Sequence, residues 1–488
     1  MAQIETRKIV EAQNIPFAAA PEALIARHRS ERQSRPFGLA SRFIKEEEVE
    51  EEVLRLSQGS TEEEYAETLA TAVRIHREQK DPPQITGDGF AFAFLVHPRD
   101  LEENGPRDLP NLLPAFRGAS IKEACIFFER LGPGTICPYT SNPEGKEVIG
   151  ALSYVPITIP GLEERDYFAG DRNEVTKEYV RPRILEAVEH SIRMGAKIVG
   201  LGEMLSAMTH HGRYIEDALI RRLSEEEAKK ITILTGHDMT IVLMIETMKR
   251  MAEEITGKEL TEVLNEEALG IFGCGSIGDS FVRAIMAAEH NLKKVVLYDT
   301  QQDVAERLAK KLRENVGNQN PNIEILVKQE PEEAFGEARI WVTTAGVPKP
   351  VIINPDCLLR GTFGVDDGQP HNVSPEVAHS QNTAFCEPLA KPIAYRTFPT
   401  GLVQKGGVDA ASYGCETQAV VAQRLKRMGV NLADCLSMGP GKVTPERVKE
   451  IYQLIEKSGI DLQLAPLQSH GRLLTPEHFK TVARHWQQ

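Results

Sequence analysis

Apolar and polar positions along this chain follow two alternating periods. Short apolar runs that end in polar or glycine-rich turns predict strands over 90–96, 197–201, 268–272, 295–298, 322–326, 338–344 and 361–366. A further run over 148–159 reads as a pair of strands interrupted at Pro156. Between them, apolar residues three or four apart predict helices. Examples are Ile184, Val188 and Ile192, the Met- and Ile-rich stretch 239–251 with Asp238 or Thr235 as its cap, and 303–312. Nearer the N-terminus, Thr61 and Glu64 form a capping-box signature ahead of Tyr65, Leu69 and Val73.

This alternation predicts an α/β fold: a Rossmann-type dinucleotide-binding domain, an N-terminal α/β substrate domain and a helical C-terminal segment. Asp81-Pro-Pro83 marks a boundary, because proline ends helices and restricts the residue before it. The chain therefore divides into a charged helical extension (1–80), a substrate domain (81–250), the dinucleotide domain (251–400) and the C-terminal segment (401–488). The acidic run over 45–52 reads as a docking or oligomer arm, or as a solvated helical cover.

Composition narrows the function classes. A length of 488 residues with 41% hydrophobic content supports a large buried core. The net charge of −14 gives no basic footprint for nucleic acid or an anionic membrane. Neither a run of 18 uncharged apolar residues nor a basic-then-apolar leader is present, so a cytoplasmic protein without integral membrane contact is expected. Seven cysteines without a C-x-x-C pair predict no disulfide framework and no metal site.

The chemistry begins at the glycine triplet Gly273, Gly275 and Gly278. Its G-x-G-x-x-G spacing lies between an apolar run and a helical pattern. The first glycine permits a tight turn, the second lets backbone approach a pyrophosphate, and the third lets helix pack on strand. Ser276 and Ile277 open the helix whose N–H groups then face the phosphates. Asp299 ends the next strand, 21 residues after Gly278, where it can accept hydrogen bonds from both ribose hydroxyls. Its charge repels a 2′-phosphate, so NADH is favoured over NADPH. Thr300 follows it, and Thr343, Thr344 and Ala345 at the end of a later strand complete the expected cofactor site. An ordinary tight βα turn and a solvated strand-end aspartate are the alternatives.

Cys415 is the candidate nucleophile. A glycine-rich approach precedes it, and Ala419, Ala422, Leu425 and Met428 recur on one helical face after it. A thiol at a helix start is expected to have a lowered pKa. The same residue reads equally as a small buried apolar side chain. Cys274 lies in the phosphate loop, Cys357 in a short helical patch and Cys386 in a strand. His210 and His211 are adjacent, so regular structure would splay them apart.

From Phe92–Pro98 (FAFLVHP) to Ala465–Leu467, the order of motifs resembles the cyanobacterial long-chain acyl-acyl-carrier-protein reductases, which are related in architecture to glutamyl-tRNA reductases and shikimate dehydrogenases. The matching pieces include the opening strand with His97, Leu201-Gly202 with Ser206, Thr235-Gly236 before its helix and the glycine loop. Trp341-Val342, Val365–Asn372 (VDDGQPHN), Cys415–Ala419 (CETQA) and Ser437–Gly439 follow. The resemblance implies reduction of a fatty acyl thioester, on acyl carrier protein or coenzyme A, to an aldehyde. Cys415 would take the acyl group, a reduced nicotinamide would supply hydride, and His97 or Ser206 would stabilise the oxyanion. An aldehyde-consuming enzyme and further copies of the chain are the partners it suggests.

The chain departs from that pattern in its first 80 residues, in Asp299-Thr300 where the family carries an arginine, and over 386–398. Two other readings stay open. One is a dehydrogenase of a small hydroxy or amino acid, with Lys391 or His371 as its acid/base and Cys415 structural. The other is a non-catalytic dinucleotide-binding module.

Overall fold

The computed structural model describes residues 44–85, 91–98, 112–141, 147–168, 172–287, 292–316, 323–396, 411–432, 444–457 and 459–488. Residues 1–43 of the extension, the glycine approach over 406–410, Cys435 and the Ser437–Gly439 motif lie outside them.

Two six-stranded sheets carry the α/β fold. The first holds β1 (Phe92–Val96), β2 (Gly134–Thr140), β3 (Val148–Tyr154), β4 (Ile198–Leu201) and β5 (Thr232–Leu234). Its order is Tyr395–Arg396, β2, β3, β1, β4, β5. β3, β1, β4 and β5 run parallel; β2 is reversed against them, and the two-residue Tyr395–Arg396 strand, antiparallel to β2, runs with the rest. Both faces of the parallel part are buried, as helix-covered parallel strands require. Leu95, Val199 and Leu201 pack with Ile184, Leu185 and Val188 of the Arg181–Arg193 helix. Phe92, Phe94 and Ile198 face the other way, in one core with Ala419 and Ala422 of the Gly414–Arg427 helix.

The second sheet holds β6 (Leu269–Phe272), β7 (Lys294–Tyr298), β8 (Glu324–Val327), β9 (Ile340–Thr343), β10 (Thr362–Asp366) and β11 (Thr383–Cys386). All its strands are parallel, in the order β11-β10-β9-β6-β7-β8. Counted from β6, this is the doubly wound Rossmann order, with its reversal between β6 and β9. The His237–Thr256 helix runs between the sheets. It is buried along most of its length and shares one core with residues of both.

The acidic run begins the Glu46–Leu56 helix, which buries Val49, Val53 and Leu56 against the first domain and turns its carboxylates outward. Glu46 there meets Arg77, and Glu48 and Glu52 meet Arg130. The Thr61–Glu64 capping box is present and opens the Glu62–Glu78 helix.

Three sequence expectations need correction. Only β3 forms in the 148–159 run, because the chain after Pro156 turns into the Ile159–Glu163 helix, capped by Thr158. Strand β2 has no counterpart in the sequence reading. It carries Pro138 and two register shifts against β3, which disguise its alternation. Neither Thr235 nor Asp238 caps the long helix. Gly236, at φ +77°, occupies the cap without a side-chain bond, and Asp238 instead accepts from Arg447 at 3.2 Å and Gln418 at 3.2 Å.

Candidate active site

Strand direction places the site. The carboxyl ends of β1, β4 and β5 in one sheet and of β6, β9 and β10 in the other open onto a shared cavity of about 1030 Å³. In open α/β sheets ligands bind at this edge, at the point where strand order reverses.

On the dinucleotide side, β6 runs into Gly273 and the Ser276–Ala287 helix follows, as the fingerprint predicts. Gly273, Gly275, Ser276, Ile277, Asp299, Thr300, Thr344 and Ala345 line the cavity, and Gly278 packs against Gly273 O behind it. Space is open around Gly275, so backbone can meet a ligand there. Asp299 anchors this loop: Oδ2 accepts from Cys274 N at 2.8 Å and Oδ1 from Gln301 N at 2.9 Å. Burial raises its carboxyl pKa, while those N–H groups and Arg172, from the first domain, pull the other way. Thr344 Oγ1 donates to Gly273 O at 2.8 Å. Thr343 is buried at the end of β9 and donates to Asp366, outside the cavity wall. These residues fit a nicotinamide dinucleotide, with the phosphates at the uncrowded turn and helix start and the ribose at Asp299.

Cys415 faces the same cavity as the second residue of the Gly414–Arg427 helix. Gly236 makes this placement possible, since a Cβ there would lie 2.2 Å from Cys415 Cβ. Its left-handed backbone and missing side chain let the start of the His237–Thr256 helix touch the start of the cysteine helix. Neither helix has a side-chain cap at its first residue, and Met239 N in the first turn of the long helix donates instead to Gln418 Oε1 at 3.3 Å.

The thiol pKa is nevertheless shifted upward, opposite to the direction expected from the sequence. Burial raises its pKa, and the carboxyls of Asp367, Glu416 and Glu203 push it the same way. The Glu203 N–H, bonded to the sulfur, opposes them without prevailing. Desolvation and neighbouring carboxyls outweigh the helix termini here.

His97 and Glu203 form a buried pair beside the cysteine. Glu203 Oε2 lies 3.2 Å from His97 Nε2 and accepts from His97 N at 3.0 Å. Glu203 sits at φ +52°, a strained conformation for a residue with a side chain. Ser206 lies one layer back. Its hydroxyl is 3.4 Å from His237 Nδ1, and His237 rather than Ser206 lines the cavity. His210 and His211 both have positive φ; His211 Nδ1 is 3.5 Å from Ser276 Oγ, which ties the first domain to the glycine loop.

Sequence reasoning also missed Asp366, Asp367 and Glu387. Asp366 accepts from Thr343 Oγ1 at 2.7 Å and from the N–H groups of Gly368, Asn372 and Val373. Burial opposes its charge, but these donors and His371 hold its pKa below the usual range. Asp367, the next residue, is pushed up to about 8 by burial and by the charges of Asp366 and Glu387. His371 bridges Asp366 Oδ2 at 3.5 Å and Glu387 Oε1 at 3.4 Å. The consecutive acids of VDDG are the only local signal for this cluster. Lys391 is exposed and donates to Gln463 Oε1 at 2.7 Å, away from the cavity.

Burial also sets a pH limit on the fold. It lowers the His237 pKa to about 3, with His211 and Arg447 adding to the effect. Between about pH 3 and 6.5 the unfolded chain therefore binds a proton here that the folded chain refuses, and stability rises with pH across that window. The contribution lost on acidification is on the order of 4 kcal/mol. We expect the melting temperature to fall as pH drops below about 6.5, with a shallower fall in His237→Gln. Equal slopes in both proteins would show that other groups control acid unfolding.

No protein-family model matches the chain, and no curated protein does. Similar solved structures include an NAD-dependent malic enzyme from Thermotoga maritima, at 11% identity over 88% of this chain and 98% of that one, with a TM-score of 0.33. A shikimate 5-dehydrogenase from Listeria monocytogenes, solved with shikimate and NAD, aligns at 11% identity over 60% and 91%, with a TM-score of 0.27. A Δ1-pyrroline-2-carboxylate reductase from Thermococcus litoralis, solved with NADH and L-proline, aligns at 14% identity over 46% and 66%, with a TM-score of 0.24. The Rossmann assignment rests on the strand order of this chain. No helix among the described residues is long and apolar enough to cross a membrane.

Proposed function

We propose that this chain is a nicotinamide-dependent oxidoreductase that reduces a fatty acyl thioester to an aldehyde through an acyl group held on Cys415. One observation carries this reading: Cys415 lines the same cavity as the dinucleotide loop and an apolar wall made by Phe94, Leu112, Ile136 and Leu152. A thiol, a cofactor edge and a surface for an alkyl chain are the three elements the reaction needs.

Each group then has a role. Cys415 attacks the substrate thioester and displaces the carrier thiol; thiolates are good nucleophiles and leaving groups, so the reduction divides into two easier steps. The His97–Glu203 pair, which lines the cavity with Cys415, takes the thiol proton in this reading. The N–H groups at the cysteine-helix start favour negative charge on the carbonyl oxygen. Gly275, Ser276, Ile277 and Asp299 would hold the reduced dinucleotide, which would supply hydride. The acyl carrier, acyl carrier protein or coenzyme A, meets the protein at the cavity mouth. NADH is the favoured form in this reading, because negative charge at Asp299 would repel a 2′-phosphate.

Intact-protein mass spectrometry after mixing the protein with a long-chain acyl thioester, without cofactor, tests the reading. An acyl-sized mass gain mapped to the Cys415 peptide, and discharged as aldehyde by NADH or NADPH, is expected. The raised thiol pKa favours a second reading, a dehydrogenase of a small hydroxy or amino acid with the Asp367–His371 cluster as its acid/base. Absence of an adduct across both carriers and several chain lengths would select it.

A further inference from the structure

The cluster at the end of β10 has no role in holding the acyl group or the dinucleotide, yet it faces the same cavity. We propose that Asp367 is the proton donor and acceptor for the group held on Cys415, a catalytic role that rests on the thioester reading above. The geometry is that of two neighbouring acids with opposite tasks. Asp366 is buried and surrounded by donors, so it holds a fixed charge. Among the described residues, the Asp367 carboxyl has no hydrogen-bond partner in the protein; it lines the cavity with Cys415, and the two segments are tied by Gln369 Nε2, two residues after Asp367, donating to the hydroxyl of Tyr413, two residues before Cys415, at 3.2 Å.

The groups that face it are Asp366 on its own strand end, Glu387 after β11, and Cys415 on the facing helix. Behind them, His371 bridges Asp366 and Glu387, and its ring lies 4.1 Å from that of His470. Tyr413, two residues before the nucleophile, donates to Glu387 Oε1 at 3.1 Å. Negative charge on Asp366 and Glu387 keeps the Asp367 proton in place at neutral pH, which burial alone also favours. A carboxylic acid kept neutral in this way can donate to a developing alkoxide.

The step balances as follows. As hydride reaches the thioester carbonyl carbon, the C=O π bond opens and the Asp367 O–H proton passes to the oxygen, giving a thiohemiacetal on Cys415 and an Asp367 carboxylate. The carboxylate takes that proton back as the carbonyl re-forms and the C–S bond breaks. Aldehyde leaves, and the Cys415 thiolate takes up one proton from water in the cavity. The acyl carbon is reduced by two electrons, and the reduced nicotinamide is oxidised by the same two.

Two measurements on the full chain test this. In the first, without substrate or cofactor, iodoacetamide labelling of the Cys415 peptide is followed against pH by mass spectrometry. Asp367→Asn removes a group that raises the thiol pKa, so at about pH 9 the peptide should label several-fold faster than in wild type. An unchanged labelling rate would overturn the proposal without bearing on the thioester reading. In the second, preformed acyl-enzyme is discharged by NADH in a single turnover. Wild-type discharge should decline above about pH 8. Asp367→Asn should keep acyl-enzyme formation and NADH binding, lose that limb, and discharge at least about 100-fold more slowly. Asp367→Glu should restore part of the rate together with the limb. Discharge by Asp367→Asn at the wild-type rate, or a wild-type profile without a limb near pH 8, would overturn the role. Wild type that forms no adduct would overturn both this role and the thioester reading.

Discussion

Alanine at Cys415 is expected to lower aldehyde formation from an acyl thioester by about 10³-fold or more, with reduced-cofactor affinity unchanged. The magnitude follows from the route. Without the thiol, hydride must be delivered to a carbonyl still attached to its carrier, and nothing fixes that carbonyl against the dinucleotide edge. The fold should tolerate the change, because losing one sulfur atom beside a cavity leaves the Gly236 contact intact. Cys415→Ser provides the sharper comparison. A serine oxygen can accept the acyl group, but an alkoxide leaves poorly, so a slow ester adduct that resists discharge is expected. Initial rates of cofactor oxidation and intact mass read both variants. If Cys415→Ala keeps more than about a tenth of wild-type activity, the cysteine is packing and the small-substrate reading gains.

The raised thiol pKa gives this chemistry a direction in pH. A nucleophile that starts protonated needs a base, so on the proposed route acylation should speed up as pH rises through neutrality, whereas discharge should slow once the proton on Asp367 is lost. Acylation and discharge then favour opposite sides of about pH 8. On the proposed route, this is a physical reason to divide proton traffic between the His97–Glu203 pair and Asp367.

Local signals in the sequence account for what was legible there. The dinucleotide loop is a strand, a turn and a helix within about twenty residues, a unit whose glycine spacing and apolar periodicity lie side by side. Asp299, singled out by its distance from that loop, and Cys415, by a glycine-rich approach to a helical pattern, both line the cavity. The arrangement around the thiol was not legible, because it is made by contacts across long separations. His97 meets Glu203 across 106 positions, and Tyr139 meets Glu416 across 277. The thiol pKa was misjudged for the same reason. The helix start and Glu416 could be read locally, whereas burial, the largest cause, and the carboxyls of Asp367 and Glu203, from the ends of β10 and β4, could not. Ser206 illustrates the converse: its motif position is right for the cavity edge, but the turn after β4 aims its hydroxyl at His237 instead.

Alanine at Gly273 is the change expected to do most damage on the cofactor side. Its φ of +91° is a conformation that residues with a Cβ rarely adopt, and an added Cβ would lie 2.4 Å from Ala345 N and 2.6 Å from Thr344 C. Both are backbone atoms, so no side-chain rotation relieves the clash. Nor can the loop retreat: Gly273 N donates to Tyr298 O at 3.0 Å, Thr344 N to Phe272 O at 2.7 Å, and Ala345 N to Asn372 Oδ1 at 2.7 Å. The turn must unlock from β7, β9 and the Asn372 loop together. We expect a stability loss of about 2–4 kcal/mol and at least about 100-fold weaker binding of both NADH and NADPH. Fluorescence titration with each reduced cofactor and urea unfolding measure the two effects. Gly275→Ala separates them, because its Cβ would enter open space: the fold should keep its stability, and any loss of affinity then reports the approach of the dinucleotide itself. Wild-type affinity in both variants would remove this loop from the cofactor site. Cys415 labelling in Gly275→Ala should match wild type, since the thiol is held by Gly236 and the two helix starts rather than by the loop.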